Sequence, residues 1–250
     1  MALRNLLNRY VGPLHERRRA WSKHLSRVAR RHQLLIYPHH LTWSLPGRLT
    51  ELEAQWGDLP GLPLDCCQLL YSVASSVSAR GVGGDTAECG VRYGKSSFFV
   101  LNALNDPTRA HHLCDSFEGL SEPTDDDAEV GGRRDAWRAG DLEADERIAR
   151  EQLKAFPQCQ FHRGWIPDCF AGLEDRRFAM VHIDVDLYEP TLAAFEFFHP
   201  RLTPGAVMVC DDYGFASCPG ARKAVDEYFS GRADVPIELP SGQALIFHSG

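Results

Sequence analysis

The chain reads Asp85-Thr86-Ala87-Glu88-Cys89-Gly90-Val91-Arg92-Tyr93-Gly94-Lys95-Ser96-Ser97 where a short apolar strand gives way to a glycine loop and then to a helix. Gly90 and Gly94 let the backbone turn and approach a ligand closely. Ser96 opens the helix, whose first unpaired N–H groups can meet a carboxylate or a hydroxyl. The spacing is neither G-x-G-x-x-G nor that of a Walker A loop, which disfavours dinucleotide and phosphate binding. The methionine moiety of S-adenosylmethionine fits this loop better.

Strand and helix patterns alternate along the chain from residue 64 onward, which is typical of an α/β protein with a parallel sheet. A helix is predicted over residues 64–79, and another over Gly220–Ser230. The predicted strands are Asp85–Cys89, Ala110–Asp115, Cys159–Arg163, Phe178–Asp184, Ala206–Asp211, Pro236–Leu239 and Gln243–His248. Five strand–helix units closed by a hairpin predict the class I S-adenosylmethionine-dependent methyltransferase fold. That fold is a Rossmann-like, mostly parallel seven-stranded sheet with a C-terminal antiparallel hairpin.

Composition and charge narrow the class of protein further. A chain of 250 residues with 44% apolar composition can bury the core of one α/β domain. No apolar run approaches the roughly 20 residues of a membrane helix, and Met1 leads into an Arg-rich stretch, so we expect a cytoplasmic protein without a membrane partner. The body of the chain is acidic, which argues against nucleic acid as a partner. The eight cysteines form no C-x-x-C pair, which disfavours a zinc knuckle and a thioredoxin-type motif.

The first 63 residues differ from the rest of the chain. Residues 1–32 hold nine Lys and Arg against one acid, Glu16, so the net charge of -7 leaves -15 for the remainder. Helical spacing predicts an arm over residues 3–36, followed by loops around a short helix near Leu49–Gln55. We therefore divide the chain into an N-terminal helical arm and cap, residues 1–63, and a catalytic domain, residues 64–250. The arm is interpreted either as a packing or oligomerisation helix or as a contact for an acidic ligand, and we expect a homo-oligomer.

An acidic segment interrupts the catalytic domain. Residues 115–150 hold twelve acids, among them Asp125-Asp126-Asp127. This segment is too long for a tight connection between elements. Two interpretations stay open at residues 116–150, namely a mobile lid over the site and a plain solvated insertion.

Carboxylates collect at the ends of three predicted strands. Asp115 ends the second strand, where α/β nucleotide folds hold ribose hydroxyls. Asp184 and Asp186 end the fourth strand, and Asp211 with Asp212 ends the fifth. Neighbouring strands lie about 4.8 Å apart, so Asp184 can meet Asp211. Because side chains alternate along a strand, Asp186 faces the same side as Asp184 if the strand persists.

Such a cluster of acids predicts a metal site. Crowded carboxylates repel one another and lose hydration unless a cation lies among them. Oxygen-only ligands suit Mg²⁺, with Mn²⁺ or Ca²⁺ as substitutes, better than zinc. His182 lies inside the apolar part of the fourth strand and is interpreted as a hydrogen-bonded core histidine outside the metal site.

At these residues the sequence resembles the macrocin O-methyltransferase family, which includes methyltransferases that finish the sugars of macrolide and aminocoumarin antibiotics. The resemblance extends over about residues 64–248. It rests on the matching segments Gly84-Asp85-Thr86-Ala87-Glu88-Cys89-Gly90-Val91, Asp115-Ser116-Phe117-Glu118-Gly119-Leu120, Gly164-Trp165, His182-Ile183-Asp184-Val185-Asp186-Leu187-Tyr188 and Asp211-Asp212-Tyr213. The chain departs from the family at Arg92-Tyr93-Gly94-Lys95, where relatives usually read Trp-Arg-Gly-Gly, and in the basic arm.

The resemblance implies a role for each matching residue. The residues implied to bind S-adenosylmethionine are Glu88, Gly90, Ser96 and Asp115. The residues implied to hold Mg²⁺ are Asp184, Asp211 and Asp212. Asp186 would be the general base. Trp165 falls in the region where such folds border the adenine ring.

We therefore expect an S-adenosylmethionine- and Mg²⁺-dependent O-methyltransferase acting on a hydroxyl of a small, oxygen-rich acceptor, a sugar of a glycosylated natural product. A glycosyltransferase or phosphatase would use Asp184-Val185-Asp186, but neither explains residues 88–97. A non-catalytic binding module with a methyltransferase fold would use the basic arm as its contact surface. The complete set of carboxylates argues against that third alternative.

The basic arm leads to a first test. Deleting residues 1–30 should change the oligomeric mass measured by light scattering, because an amphipathic helix of this kind is expected to join protomers. The affinity for S-adenosylhomocysteine should stay nearly the same. An unchanged mass would contradict the oligomerisation role.

Overall fold

The computed structural model describes residues 46–128 and 137–250 of the chain. The helical arm predicted over residues 3–36 and the centre of the acidic segment lie outside the described residues. Residues Leu52–Gly250 form one compact unit. The division at residue 63 stays a prediction. None of the described helices is both long enough and apolar enough to span a bilayer.

Helices and strands alternate through the described residues as the sequence predicts. The helices are α1 (Arg48–Trp56), α2 (Leu64–Ala79), α3 (Lys95–Leu104), α4 (Glu146–Gln152), α5 (Tyr188–Phe198) and α6 (Pro219–Phe229). The strands are β1 (Asp85–Cys89), β2 (His111–Asp115), β3 (Cys159–Arg163), β4 (Phe178–Ile183), β5 (Leu202–Cys210), β6 (Ile237–Glu238) and β7 (Ala244–Phe247). Short 3₁₀ helices cover Asp125–Asp127, Asp168–Phe170 and His199–Arg201.

The seven strands form one sheet in the order β3-β2-β1-β4-β5-β7-β6. The first five strands pair in parallel, whereas β7 runs antiparallel to both β5 and β6. The predicted α/β fold with a C-terminal antiparallel hairpin is therefore confirmed. The right-handed crossovers that follow β1 and β4 run toward opposite edges of the sheet. Their helices therefore lie on opposite faces of the sheet. Accordingly α2 packs against α3, and α5 packs against α6.

The central strands are buried almost completely. Every residue of β4 is buried, as are the last four residues of β1 and the last five of β5. A parallel strand covered on both faces is expected to be apolar along its whole length, and Phe178–Ile183 fits that expectation except at His182. The buried cysteines Cys89, Cys114 and Cys210 are small residues of this core.

The strand order reverses between β1 and β4, and this is where α/β folds bind ligands. Cys89 of β1 lies level with Ile183 of β4, and Ile183 lies level with Cys210 of β5. The residues that follow these three strands therefore emerge side by side. That register places Gly90, Asp184 and Asp211 at one edge of the sheet.

The strand limits agree with the prediction to within one residue, except at the start of β5. The strand β4 ends at Ile183, one residue before Asp184, and β5 begins at Leu202, four residues before Ala206. The early residues of β5 include Pro204 and Gly205, which made a strand hard to predict there. The early end of β4 matters for the site, because alternation along a strand cannot orient Asp186.

The acidic run at residues 125–127 packs against the helices that follow β4 and β5. Asp127 is buried, and its carboxylate accepts hydrogen bonds from the Thr124 N–H at 2.8 Å and from the Tyr188 N–H at 2.7 Å. Tyr188 is the first residue of α5, so Asp127 satisfies one of the N–H groups that the helix leaves unpaired. The Cβ of any larger residue at Gly220 would overlap the Asp127 carboxylate. At Asp127 the segment is therefore part of the fold, and the interpretation as a plain solvated insertion is wrong there.

The cap at α5 leads to a second test. Asp127→Ala should lower the free energy of unfolding by about 1 to 2 kcal/mol, the usual loss for a helix cap, as measured by urea denaturation. Asp126→Ala is the matched control, because Asp126 makes a half-exposed ion pair with Lys223 at 2.5 Å, and such pairs contribute at most about 1 kcal/mol. Equal losses in the two variants would contradict the capping role of Asp127.

Candidate functional site

A cavity of about 660 Å³ lies at the carboxyl ends of β1, β2, β4 and β5. That volume is within the range of small-molecule sites, roughly 300 to 1,000 Å³. Its lining includes most of the residues that the sequence singled out, namely Gly90, Ser96, Asp115, Trp165, Asp184, Asp186, Asp211 and Asp212. Glu88 is the predicted site residue that the described lining does not include.

Gly90 joins the two halves of the cavity. Its φ of +84° lies in the left-handed region that favours glycine. A Cβ at this position would overlap the backbone carbonyl oxygen of Asp184. The requirement for glycine therefore has a packing reason in addition to ligand access, because the backbone of the loop after β1 lies directly against the Asp184 carbonyl of the loop after β4.

Asp115 holds the loop after β1 in place. Its carboxylate accepts hydrogen bonds from the N–H groups of Val91 at 2.6 Å, Arg92 at 2.8 Å and Phe117 at 2.7 Å. These three bonds fix the curvature of the Gly90–Gly94 loop at the wall of the cavity. The carboxylate also borders the cavity, so the predicted contact with a ribose hydroxyl stays a prediction.

Glu88 lies beneath the cavity in a buried polar network. Its carboxylate accepts hydrogen bonds from the hydroxyls of Ser96 and Ser97 and from His182 Nδ1 at 3.0 Å. Burial opposes the charge, but the hydrogen bond and charge of His182 and the two serine hydroxyls outweigh it and hold the pKa of Glu88 below its ordinary value. The carboxylate is occupied by protein groups. The observed hydrogen-bond partners of Glu88 are protein side chains, and its contact with a cofactor remains a prediction.

The network continues from Glu88 to the acids at the ends of β4 and β5. His182 Nε2 lies 3.5 Å from Asp211 Oδ1, and Gln243 Nε2 donates to the same oxygen at 2.6 Å. Burial alone would lower the pKa of His182, but hydrogen bonds to Asp211 and Glu88 and the charges of both acids raise it well above its ordinary value. The prediction of a buried, hydrogen-bonded histidine is confirmed, although this histidine touches an acid implied to hold metal.

Asp184, Asp211 and Asp212 converge as the strand register predicts. Each offers a carboxylate oxygen, and these oxygens lie within 4.8 Å of one another. Burial, followed by repulsion from neighbouring carboxylates, raises the pKa of Asp184 and of Asp212 well above the ordinary value. Such an arrangement disfavours three ionised groups on their own, and a divalent cation among the oxygens would offset the repulsion. The donor set fits Mg²⁺.

Asp186 borders the cavity, but strand alternation is not the cause of its orientation. Its φ of +60° lies in the left-handed region, and its N–H donates to Asp212 Oδ2 at 2.9 Å. The alternation argument is wrong because β4 has already ended, and a turn held by Asp212 sets the direction of Asp186. Burial raises the pKa of Asp186 to about 6, against a hydrogen bond from the Cys218 thiol at 3.5 Å that lowers it.

Trp165 stands at the mouth of the cavity. The preceding Gly164 donates its N–H to the carbonyl oxygen of Asp115 at 3.0 Å, which ties the turn after β3 to the end of β2. The Trp165 side chain is 41% exposed, so it is a rim residue and not a core residue. Phe215, at 39% exposed, borders the same cavity.

Residues 66–240 match the model of the family described as Macrocin-O-methyltransferase (TylF). The chain belongs to this family. The resemblance inferred from the sequence is thereby confirmed.

Two curated relatives of this macrocin O-methyltransferase family member are similar over its central part. The 8-demethyl-8-(2,3-dimethoxy-alpha-L-rhamnosyl)-tetracenomycin-C 4'-O-methyltransferase of Streptomyces olivaceus is 36% identical over 171 residues, 64% of this chain and 63% of that protein. Mycinamicin III 3''-O-methyltransferase of Micromonospora griseorubida is 30% identical over 169 residues, 64% of this chain and 65% of that protein. The chain thus spans less than two thirds of the length of these relatives.

A solved structure shares the fold of the family member described here. The structure of the O-methyltransferase NovP superposes with a TM-score of 0.66 at 24% sequence identity, covering 81% of this chain and 89% of that chain. At that identity the likeness concerns the fold, and it agrees with the seven-stranded sheet described above.

The chain departs from the usual family sequence at Arg92-Tyr93-Gly94-Lys95, in the loop after β1. Lys95 is buried and makes an ion pair with Glu53 of α1 at 2.9 Å, which ties the start of α3 to the preceding helix. Arg92 has a φ of +50° and borders the cavity, where its charge lowers the pKa of Asp186. A cation thus stands beside the implied base, where the family usually has tryptophan.

Several residues of the site escaped the sequence analysis. Ser97 closes the network around Glu88, Asp127 caps α5 just after the Asp184–Asp186 turn, and Cys218 donates to Asp186. Of these three residues, only Ser97 belongs to the glycine-loop motif, residues 85–97, that the sequence singles out. Asp127 and Cys218 come from distant segments, 61 and 32 residues away from their partners.

The buried network leads to a third test. Glu88→Gln should lower the free energy of unfolding by about 3 kcal/mol in chemical denaturation, because buried His182 loses the nearer of its two carboxylate partners and keeps only Asp211 at 3.5 Å. Ser96→Ala, which removes one neutral donor, is the matched control and should lose about 1 kcal/mol. If Glu88→Gln keeps wild-type stability and only weakens S-adenosylhomocysteine binding, Glu88 is a cofactor contact and not a structural centre.

Proposed function

We propose that this chain is an S-adenosylmethionine- and Mg²⁺-dependent O-methyltransferase that acts on a sugar hydroxyl of a glycosylated natural product. The observation that carries the proposal is the convergence of four acids, Asp184, Asp186, Asp211 and Asp212, on one cavity that is also bordered by the glycine loop after β1. Membership of the macrocin O-methyltransferase family supports the reaction class.

The cofactor would occupy the half of the cavity that the loop after β1 borders. S-adenosylmethionine supplies an electrophilic methyl group when it is bound. Gly90 and Ser96 lie where its amino-acid part would reach the start of α3, and Asp115 lies where β2 ends. Trp165 at the rim offers an aromatic face to the adenine ring. The Asp115 carboxylate already accepts three backbone N–H groups, so it would bind a ribose hydroxyl with an oxygen lone pair that remains.

The metal would occupy the other half of the cavity. Asp184, Asp211 and Asp212 would hold Mg²⁺, and the ion supplies positive charge that makes a neighbouring hydroxyl more acidic. Asp186 would then accept the proton of the acceptor hydroxyl as its oxygen takes the methyl group. The turn held by the Asp186 N–H and Asp212 keeps this base beside the three ligands. Positioning of the two substrates supplies most of the remaining acceleration.

Sugar as the acceptor is supported by the printed names of the relatives. One is a methyltransferase of a rhamnosyl tetracenomycin, and another acts on mycinamicin III. The sheltered cavity, with aromatic side chains of Trp165 and Phe215 at its rim, suits a sugar ring attached to a larger apolar group. We therefore place the sugar near Asp186 and the rest of the acceptor at the rim.

Calorimetry distinguishes the proposed reaction from its rivals. S-adenosylhomocysteine should bind with micromolar affinity, and a nucleotide sugar should not compete for its site. Transfer of label from methyl-labelled S-adenosylmethionine to a rhamnosyl glycoside should stop with a chelator and return with added Mg²⁺. Binding of the nucleotide sugar in place of S-adenosylhomocysteine would favour the glycosyltransferase alternative. Full turnover in excess chelator would remove the metal role.

A fourth test separates metal binding from base catalysis. Asp186→Asn preserves the shape of the side chain but removes its basicity, so turnover should fall by roughly 10²- to 10⁴-fold. Mg²⁺ and S-adenosylhomocysteine should still bind. Asp184→Asn is the matched variant, which should weaken Mg²⁺ binding and regain part of its turnover when extra Mg²⁺ is added. Rescue of Asp186→Asn by metal would show that the two roles are assigned wrongly.

A further inference from the structure

A cluster of two histidines and one aspartate lies away from the cavity. His199 follows α5, Asp234 follows α6, and His248 follows β7. The His248 N–H donates to the carbonyl oxygen of Ala206, the fifth of the nine residues of β5, whereas the cavity lies beyond Cys210, where that strand ends. Five residues of extended chain separate Ala206 from Asp211, roughly 16 Å at the rise of a strand. The cluster is therefore separate from Asp184, Asp211 and Asp212.

The ligand atoms of this cluster already face one another. Asp234 Oδ2 lies 3.0 Å from His199 Nε2 and 2.7 Å from His248 Nδ1. One atom from each of the three residues lies within 4.8 Å of the other two. Zinc bonds of about 2.0 to 2.1 Å place tetrahedral ligands roughly 3.3 Å apart. The two Asp234 contacts would lengthen by about 0.3 and 0.6 Å to admit a cation at these distances, which side-chain rotations allow.

The neighbouring residues leave Asp234 Oδ2 and His199 Nε2 in position to bind a cation. The Ser249 N–H and hydroxyl both donate to Asp234 Oδ1, at 3.2 and 3.0 Å, so the second oxygen, Oδ2, faces the histidines alone. The Tyr228 hydroxyl lies 3.2 Å from His199 Nδ1 and can act as donor or acceptor. It can therefore accept a hydrogen bond from the Nδ1–H when Nε2 binds a metal. Histidines that bind metals usually donate their second ring N–H in this way.

The protonation states support the same use of these residues. Burial lowers the pKa of His199 below its ordinary value, which favours the neutral ring that a metal requires. Burial opposes ionisation of Asp234, but hydrogen bonds from His248, His199 and Ser249 outweigh it and lower the pKa of this carboxyl, which keeps it ionised. Asp234 is buried, and the His248 side chain, 20% exposed, gives a cation a way in from solvent.

We propose that His199, Asp234 and His248 form a second metal site, which takes a borderline divalent cation such as Zn²⁺ with water in the fourth position. Two imidazoles and one carboxylate are ligands that suit Zn²⁺ far better than Mg²⁺, which prefers oxygen. The three residues come from the ends of α5, α6 and β7, so the cation would join three segments at a distance from the cavity. Its role is structural.

Zinc titration of the chelator-treated full chain, in millimolar Mg²⁺ that masks the carboxylates of the cavity, tests the site. Wild type should bind one more equivalent of Zn²⁺ than His248→Gln, and Zn²⁺ should raise the unfolding temperature of wild type but not that of His248→Gln. Counting by difference is needed because five further histidines lie in residues 1–45, namely His15, His24, His32, His39 and His40. Asp184→Asn is the matched control and should retain the additional equivalent.

Cobalt provides a second measurement with its own readout. Co²⁺ in a tetrahedral site with nitrogen and oxygen ligands should give visible absorption in wild type and in Asp184→Asn but not in His248→Gln. His199→Gln should behave like His248→Gln. If it does not fold, His248→Gln decides, because that side chain is partly exposed. Equal stoichiometry and equal Zn²⁺ affinity in wild type and His248→Gln would overturn the proposal and leave the cluster as a set of hydrogen bonds alone.

Discussion

His182 binds two carboxylates that belong to different parts of the site. Glu88 ends beneath the loop after β1, and Asp211 follows β5, while His182 lies on β4 between them. Three central strands are therefore linked by side chains as well as by their ladder of backbone hydrogen bonds. Because the network is buried, each missing partner would leave an unpaired charge in a medium that screens it poorly. The relative height of the loop after β1 and the acids after β5 depends on this contact.

The carboxyl groups around this contact differ in the direction of their pKa shift because their neighbours differ. Glu88 is satisfied by two hydroxyls and an imidazole, and its pKa is lowered, whereas Asp184 and Asp212 have neighbours of like charge, and their pKa is raised. Glu88 and Asp212 are both buried, so burial does not account for the difference between these two acids. The partners thus decide the outcome, so that one acid serves as a structural anion and the others form a set that a cation completes.

The order of the elements, and most of the strand ends to within one residue, could be predicted from the sequence, because hydrophobic period and glycine positions are local properties. The meeting of Asp184 with Asp211 followed from parallel register. The direction of Asp186 could not be predicted, because it depends on a left-handed backbone position and a hydrogen bond to Asp212. The occupation of Glu88 by Ser97 and His182, and the cap that Asp127 gives α5, arise from contacts between separate segments. Periodicity carries no information about such contacts.

The close contact of Gly90 with the carbonyl oxygen of Asp184 limits how the cavity can be altered to take a different acceptor. At this point the backbone of Gly90 lies against the backbone carbonyl of Asp184, so no larger residue can replace Gly90 to alter the shape of the cavity. The variable positions are at the rim, where Trp165 and Phe215 are exposed, and in the wall at Arg92. Engineering of acceptor scope should therefore vary these three residues and leave Gly90 unchanged, since any Cβ at Gly90 would separate the two loops that hold the reacting groups together.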